Sequence, residues 1–293
     1  MDDLDCLNSI SKLDNSLVDL LTSLINVTRK LNLELANCNK DCKSKIILVL
    51  REDILNYMHD YNSNLNKIAS DDDYIRLYWL TNNENEPYNH PLMQLILSKI
   101  RASTPNYKGY SNSQLYNQLF RKEIRNKSVL KFLLDNSFGR PRDIIQFLNL
   151  VKDQNKNSGW FHPNYFKKCM QQYSNWFYNE LRNEISIRSN SQFLKESITL
   201  IKNIHKINFT FQDLETTYNK NPELYPSVEN LHDVIKETYS LGVIGTSYTP
   251  HSSGTGTSKH HVSFSYRSDS DDEPDFSNGF VVHEGLRKKF SLY

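Results

Sequence analysis

Arginines are the residues of this 293-residue chain best placed to do chemistry. In Gly139-Arg140-Pro141-Arg142, Pro141 occupies the place of a first-turn proline, so the two arginines flank the start of a helix. The unpaired N–H groups of a helix start and two guanidiniums together suit a phosphate. The plain alternative is two arginines solvating a helix end. Arg51 directly follows the apolar run 46–50. There it would read an anion at the carboxyl edge of a sheet, or pair with Glu52 or Asp53. The N-terminus is acidic, Asp2-Asp3-Leu4-Asp5, and by itself reads as a frayed end.

Other groups carry less. Cys38-x-x-x-Cys42 has two thiols at a metal-binding spacing, but no second Cys/His pair stands at finger spacing. His251, His260 and His261 cluster near a Gly/Ser-rich run without an evident fourth ligand. Gly-x-Ser-x-Gly and His-Glu-x-x-His are both absent, and so is Gly-x-x-x-x-Gly-Lys-Ser/Thr. The amides and lysine that would grip a nucleotide's β- and γ-phosphates have no source in these residues.

Composition narrows the class. With 35 Lys and Arg against 34 Asp and Glu, the chain has a formal charge of +1, which excludes polyanion binding through bulk charge. Four cysteines are too few and too scattered for a disulfide framework. No stretch approaches the ~20 apolar residues of a membrane span, and the acidic N-terminus is unlike a secretory signal. A cytoplasmic protein without membrane contact is expected. The 33 asparagines and 3 alanines fit an AT-rich gene and carry no functional information.

The elements that must position these residues follow from periodicity. Leu17, Leu20, Leu21, Leu24, Thr28 and Leu31 recur at helical spacing. Residues 45–51, Lys-Ile-Ile-Leu-Val-Leu-Arg, read as a strand buried on both faces, and no other such run occurs before residue 230. Helices are expected at 91–100, 111–125, 128–135, from Pro141, and from Pro163. The stripe Phe166, Met170, Tyr173, Phe177, Leu181 and Ile185 in the last of these is core. Further helices are expected at 193–204, after the N-cap Thr210, and at 228–241, the last closed by Gly242. Strands at 243–248, 262–266 and 280–282 complete the chain. Three helices and then a hairpin is the order of a winged helix, with 251–258 as its wing tip.

Taken together, Asp2-Asp3-Leu4-Asp5, the strand ending in Arg51, Gly139-Arg140-Pro141-Arg142 and the tail Phe280-Val-Val-His-Glu-Gly-Leu-Arg-Lys-Lys-Phe290 resemble the later part of a bacterial FunZ-like P-loop ATPase. That family is of the AAA/STAND kind, related to the KAP ATPases, and the resemblance spans nearly the whole chain. It implies Mg²⁺ and ATP as cofactors. By position, Asp2 would be the metal-side acid and Asp3 the water-polarising acid of a Walker B end. Arg51 would be a sensor, and Arg142 the sensor-2 arginine with Arg140 its auxiliary. The expected organisation is a partial α/β ATPase core at 1–86, a helical lid at 87–188 and a winged helix at 189–293, mainly α with a little β.

With no Walker A motif in these residues, the resemblance implies the C-terminal part of such a switch, truncated or separately started, and the chain is expected not to hydrolyse ATP alone. Its partners would be the missing P-loop segment and, through the winged helix, a protein. The alternative is a non-enzymatic binding module for protein or nucleic acid. Duplex DNA is an unfavourable ligand, because 228–241 offers Glu229, Asp233 and Glu237 against Lys236.

Overall fold

The computed structural model describes residues 15–38, 44–50, 54–55, 58, 75, 77, 79–80, 86–186, 188–248, 261–267 and 273–292. They divide into two units, Met1–Leu77 with Ile187–Ser189, and Tyr78–Ser186 with Asn190–Tyr293. Ten α-helices and four short strands lie among the described residues. None of those helices is long and apolar enough to cross a membrane.

In the first unit, helix α1 (Asn15–Cys38) buries Val18 and Leu21 against Met58, with Ile25, Leu50 and Ile54 packed partly around them. The buried face lies one position along from the expected stripe: Leu20 and Leu31 are exposed. The strand expected at 45–51 is not formed. The described residues 44–50 are assigned no strand, and Ile47 and Val49 are 81% and 78% exposed. A strand buried on both faces needs neighbours on both edges and cover on both faces. Here the backbone of Ile46 finds a side chain instead: Asn32 Nδ2 donates to the Ile46 carbonyl at 2.9 Å, and Asn32 Oδ1 accepts the Ile46 N–H at 2.7 Å. One carboxamide copies one peptide of a neighbouring strand and cannot extend further. No other strand lies among the described residues of this unit, so the α/β sheet implied by the run 46–50 is absent there.

The second unit begins with α2 (Pro91–Ser103), α3 (Asn112–Leu119) and α4 (Val129–Asp135). Ser111 caps α3 with a full capping box, and Ser128 caps α4. The helix expected to reach 125 stops at Leu119. Arg125 and Asn126 both take positive φ (53° and 59°), and Ile124 and Lys127 exchange backbone hydrogen bonds in a two-residue hairpin. Asparagine tolerates that conformation, and the paired turn breaks the helix.

Two longer helices follow, α5 (Pro141–Gln154) and α6 (Pro163–Ser186), packed as a hairpin. Every residue of the α6 stripe from Phe166 to Ile185 is buried, as expected. Tyr173 stacks on Phe147 of α5 at 4.1 Å between ring centroids, and Phe132 and Phe166 meet Phe147 at 5.8 and 5.6 Å.

The remaining elements are α7 (Ser191–Asn203), β1 (Asn208–Phe209), α8 (Phe211–Lys220), α9 (Leu231–Ser240), β2 (Ile244–Tyr248), β3 (His261–Ser263), β4 (Gly279–Val282) and α10 (Glu284–Arg287). Thr210 caps α8 with a capping box, and Gly242 closes α9 at φ 71°, both as expected. The strands form one antiparallel sheet in the order β1-β4-β2-β3. β2 and β3 pair as a hairpin, with Ser247 opposite Val262, while β4 enters between β2 and the short β1, which periodicity had not marked. Residues 251–258 lie outside the described residues. A single hydrophobic core runs from Leu92 through α6 to Leu292 and continues past residue 188.

Candidate functional site

The segment 136–143 turns the chain from α4 into α5. Asn136 and Ser137 are fully buried, and Gly139 adopts φ 68°, where a Cβ would lie 2.6 Å from the Leu80 side chain. Pro141 then opens α5. Asp143 is at the third helical position; its carboxylate turns back to accept the Phe138 N–H at 3.1 Å. Burial raises its pKa to about 6, against the opposing pull of Arg140, the Phe138 N–H and Arg142.

Both arginines converge on one carboxylate. Arg140 donates to Glu184 of α6 through both terminal nitrogens, with Nη2 at 3.2 Å from Oε2. Arg142 donates to Glu184 Oε1 at 2.8 Å and pairs with Glu180 Oε2 at 3.3 Å. Glu180 and Glu184 are one helical turn apart on α6, so both reach the start of α5. The Arg140 guanidinium also lies 5.3 Å from the centroid of the Phe138 ring. Two guanidiniums face three carboxyl groups, of which Asp143 is neutral below about pH 6. No net positive charge remains, and Glu184 competes with any incoming phosphate for the two arginines. The donor set fits a phosphate in kind, and a carboxylate fills it.

Behind this clamp the loop is tied to the C-terminal segment. The Asn136 carbonyl accepts from Tyr173 Oη at 2.8 Å, and a Cβ at Gly285 would come within 2.6 Å of that same oxygen. His283 is fully buried. Its Nδ1 accepts the Gly285 N–H at 3.1 Å, so Nε2 carries the proton, 3.3 Å from the Ser137 carbonyl and 3.0 Å from Tyr266 Oη. Burial lowers the His283 pKa to about 3 and keeps the ring neutral. At the end of α4, Asp135 pairs with Lys127 at 2.7 Å and Arg267 at 3.2 Å, and Lys127 also holds Glu284 at 2.8 Å.

Of the residues singled out in the sequence, the structure brings Arg140 and Arg142 together at the start of α5. Asp2, Asp3 and Arg51 lie outside the described residues, as do Cys6, Cys42, His251 and His260. His261 is in β3, stacked on Tyr248 at 5.4 Å. Cys169 is a buried thiol that donates to the Leu150 carbonyl. Among the described residues, no group of three or more His, Cys, Asp or Glu side chains is placed to hold a metal. Sequence reasoning missed Glu180, Glu184, Asp143 and His283. The i, i+4 spacing of the two glutamates was visible, but not which helix start they would face.

A family model of the FunZ-associated C-terminal helical domain matches residues 90–182, from the start of α2 to near the end of α6, and so includes Arg140 and Arg142. No curated protein and no solved structure matches the chain.

Proposed function

We propose that the chain is the phosphate-sensing and relay part of an NTP-driven switch of the P-loop ATPase kind, and that it hydrolyses no ATP alone. The observation that carries this reading is the convergence of Arg140 and Arg142 on the single carboxylate of Glu184. A carboxylate held by two guanidiniums occupies the place a phosphate oxygen set would take, so the helix start is a sensor in its latched state. A nucleotide held by a P-loop segment outside this chain would present phosphate charge to these arginines. Its arrival in place of Glu184 would free α6 from α5. The 136–140 loop that leads from α4 into α5 is tied to His283, Gly285 and Tyr266, so the C-terminal sheet would feel the change. Asp2, Asp3 and Arg51 would join the same nucleotide as metal-side acid, water-polarising acid and sensor. The match of residues 90–182 to the FunZ-associated C-terminal helical domain supports reading these helices as the C-terminal part of a larger protein.

The C-terminal elements act in this reading as a winged helix that contacts a protein. The helix–strand–helix–helix–strand order supports it. Glu229 and Asp233 are exposed at the start of α9, and Lys236 is paired with Glu273 at 3.2 Å, a surface that does not suit duplex DNA.

The test is calorimetric titration of pyrophosphate and Mg²⁺–ATP into the chain, with phosphate release followed in parallel. Glu184→Gln removes the competing charge and should tighten pyrophosphate binding about tenfold, a free-energy change of about 1.4 kcal/mol. Arg142→Ala should abolish that gain. No variant should release phosphate. Pyrophosphate affinity indifferent to both substitutions would overturn the clamp. Mg²⁺-dependent turnover lost on Asp3→Asn would overturn the non-hydrolytic reading.

A further inference from the structure

The near-neutral charge of the whole chain conceals a strong local imbalance. Residues 90–182 contain fifteen Lys and Arg against five Asp and Glu, a formal +10, so the rest of the chain carries −9. Much of the other positive charge in the second unit is neutralised: Lys127, Arg140, Arg142, Lys206, Lys236 and Arg267 all hold carboxylates. The opposite end of the α5–α6 hairpin is different.

Three connections bring that end together. Cys169 Sγ donates to the Leu150 carbonyl at 3.4 Å, which sets the last turn of α5 against the second turn of α6. The Phe161 N–H donates to the Leu119 carbonyl at 2.8 Å, and Phe161 stacks on Phe120 at 5.2 Å, which adds the end of α3. This places Arg121 and Lys122 beside Lys152, Lys156, Lys167 and Lys168. All six are exposed, and none is ion-paired to a described residue. The acids in the same stretches are Glu123 and Asp153, both exposed.

A row of rings runs through these cations. The Arg121 guanidinium lies over Trp160 at 5.6 Å, Trp160 meets His162 at 4.8 Å, His162 meets Tyr165 at 6.1 Å, and the Lys168 ammonium lies over Tyr165 at 5.3 Å. All three rings are half-buried, with part of each open to solvent. The row is held in shape locally. Ser158 Oγ donates to the Trp160 carbonyl at 2.9 Å, and His162 Nδ1 accepts the Asn164 N–H at 3.2 Å at the start of α6. Beside it, an open cleft of about 430 Å³ is lined by His162, Asn164, Tyr165 and Lys168.

From this juxtaposition we infer that the 120–122, 152–168 end of the helical hairpin binds single-stranded nucleic acid, with phosphates against the six cations and bases stacked on Trp160 and Tyr165. Unpaired cations alone would hold any polyanion. The ring row selects the ligand, because only unpaired bases offer flat faces to stack on it. A duplex keeps its base faces inside, and the carboxylates of an acidic peptide offer no wide aromatic face to stack there. The inference does not rest on the arginine clamp, which lies at the other end of the same hairpin.

The experiment uses the full chain and fluorescence anisotropy with a labelled oligodeoxythymidine of about 15 nucleotides, a length suited to single-strand sites. A duplex of equal length, polyglutamate and anionic vesicles serve as rival ligands. Single strands should bind best, and their affinity should fall on the order of 100-fold between about 50 and 200 mM salt. Trp160→Ala should cost about tenfold, and Tyr165→Leu, which keeps an apolar side chain at its half-buried place, a similar amount. The exposed pair Lys167→Glu/Lys168→Glu should weaken binding and flatten the salt slope without altering the melting temperature. Arg142→Ala should leave affinity unchanged, which separates this site from the clamp. Equal affinity for the duplex with no effect of Trp160→Ala or Tyr165→Leu would overturn the inference. Preference for polyglutamate or vesicles would do so too, as would failure to bind at low salt.

Discussion

The two ends of the α5–α6 hairpin handle positive charge in opposite ways. At the end that starts α5, Arg140 and Arg142 are closed onto Glu184 and Glu180, and the loop beneath them is buried against the C-terminal segment. At the other end, Arg121, Lys152, Lys167 and Lys168 carry no carboxylate partner among the described residues and flank a row of rings. Ion pairs that cross two helices restrain them, whereas unneutralised cations add repulsion and little stability. One end is built to hold and the other to attract. The same helical pair can therefore join an internal latch to an outward binding surface.

Removing what the two ends share should produce the largest effect. Phe147 stacks on Tyr173 midway along the hairpin and also meets Phe132 and Phe166. Phe147→Ala should cost about 3–5 kcal/mol in denaturant titration and loosen both ends together.

A pH titration of stability sharpens the contrast, because Asp143 and His283, both buried, lie at and behind the closed end. Asp143 has its pKa raised from 3.8 to about 6, so between those values the folded chain holds a proton that the unfolded chain has lost. Its contribution is complete below 3.8 and is lost as pH rises to about 6. His283 has its pKa lowered from 6.5 to about 3, so between those values the unfolded chain holds the extra proton. Its contribution is complete above 6.5 and is lost as pH falls. Between about pH 4 and 6 the two slopes oppose and nearly cancel. Asp143→Asn, which keeps an acceptor for the Phe138 N–H, should expose a stability that rises with pH across that window. His283→Asn, which keeps an acceptor for the Gly285 N–H, should expose the opposite slope. Either change should be of order 3 kcal/mol across the window, read from chemical denaturation at a series of pH values.

Smaller effects follow from the ion pairs themselves. Glu184→Ala should destabilise by about 1 kcal/mol, since both arginines are substantially exposed and solvent screens them. Lys168→Ala at the open end should change stability by less than about 0.5 kcal/mol. If the two substitutions cost the same, the distinction between a latched and an open end fails.

Much of the local structure was legible in the sequence. Pro141, Pro163, Thr210 and Gly242 are read correctly because a cap or a fixed φ acts within a few residues, and the α6 stripe is read correctly because periodicity and burial agree. The run 46–50 misled because its composition speaks only of apolarity; whether it is covered depends on partners that the described part of the first unit does not supply. The end of α3 was misplaced because Arg125 and Asn126 gave no glycine signal for their left-handed turn. In the candidate site, the arginines were visible from their motif. The glutamates that close on them lie roughly forty residues away along the chain, across a helix contact. The cationic end was written in the composition all along but vanished when charge was averaged over the whole chain, +10 against −9.

The account turns on the latch at Glu184 being connected to the C-terminal segment and not to the open end. Hydrogen–deuterium exchange on the intact chain, comparing wild type with Glu184→Gln, tests this directly. The prediction is faster exchange in 136–143 and in 279–292, through the contacts of Ser137 with His283 and of Asn136 with Gly285, and unchanged exchange in 155–168. Loosening confined to the start of α5, with 279–292 as protected as before, would contradict it.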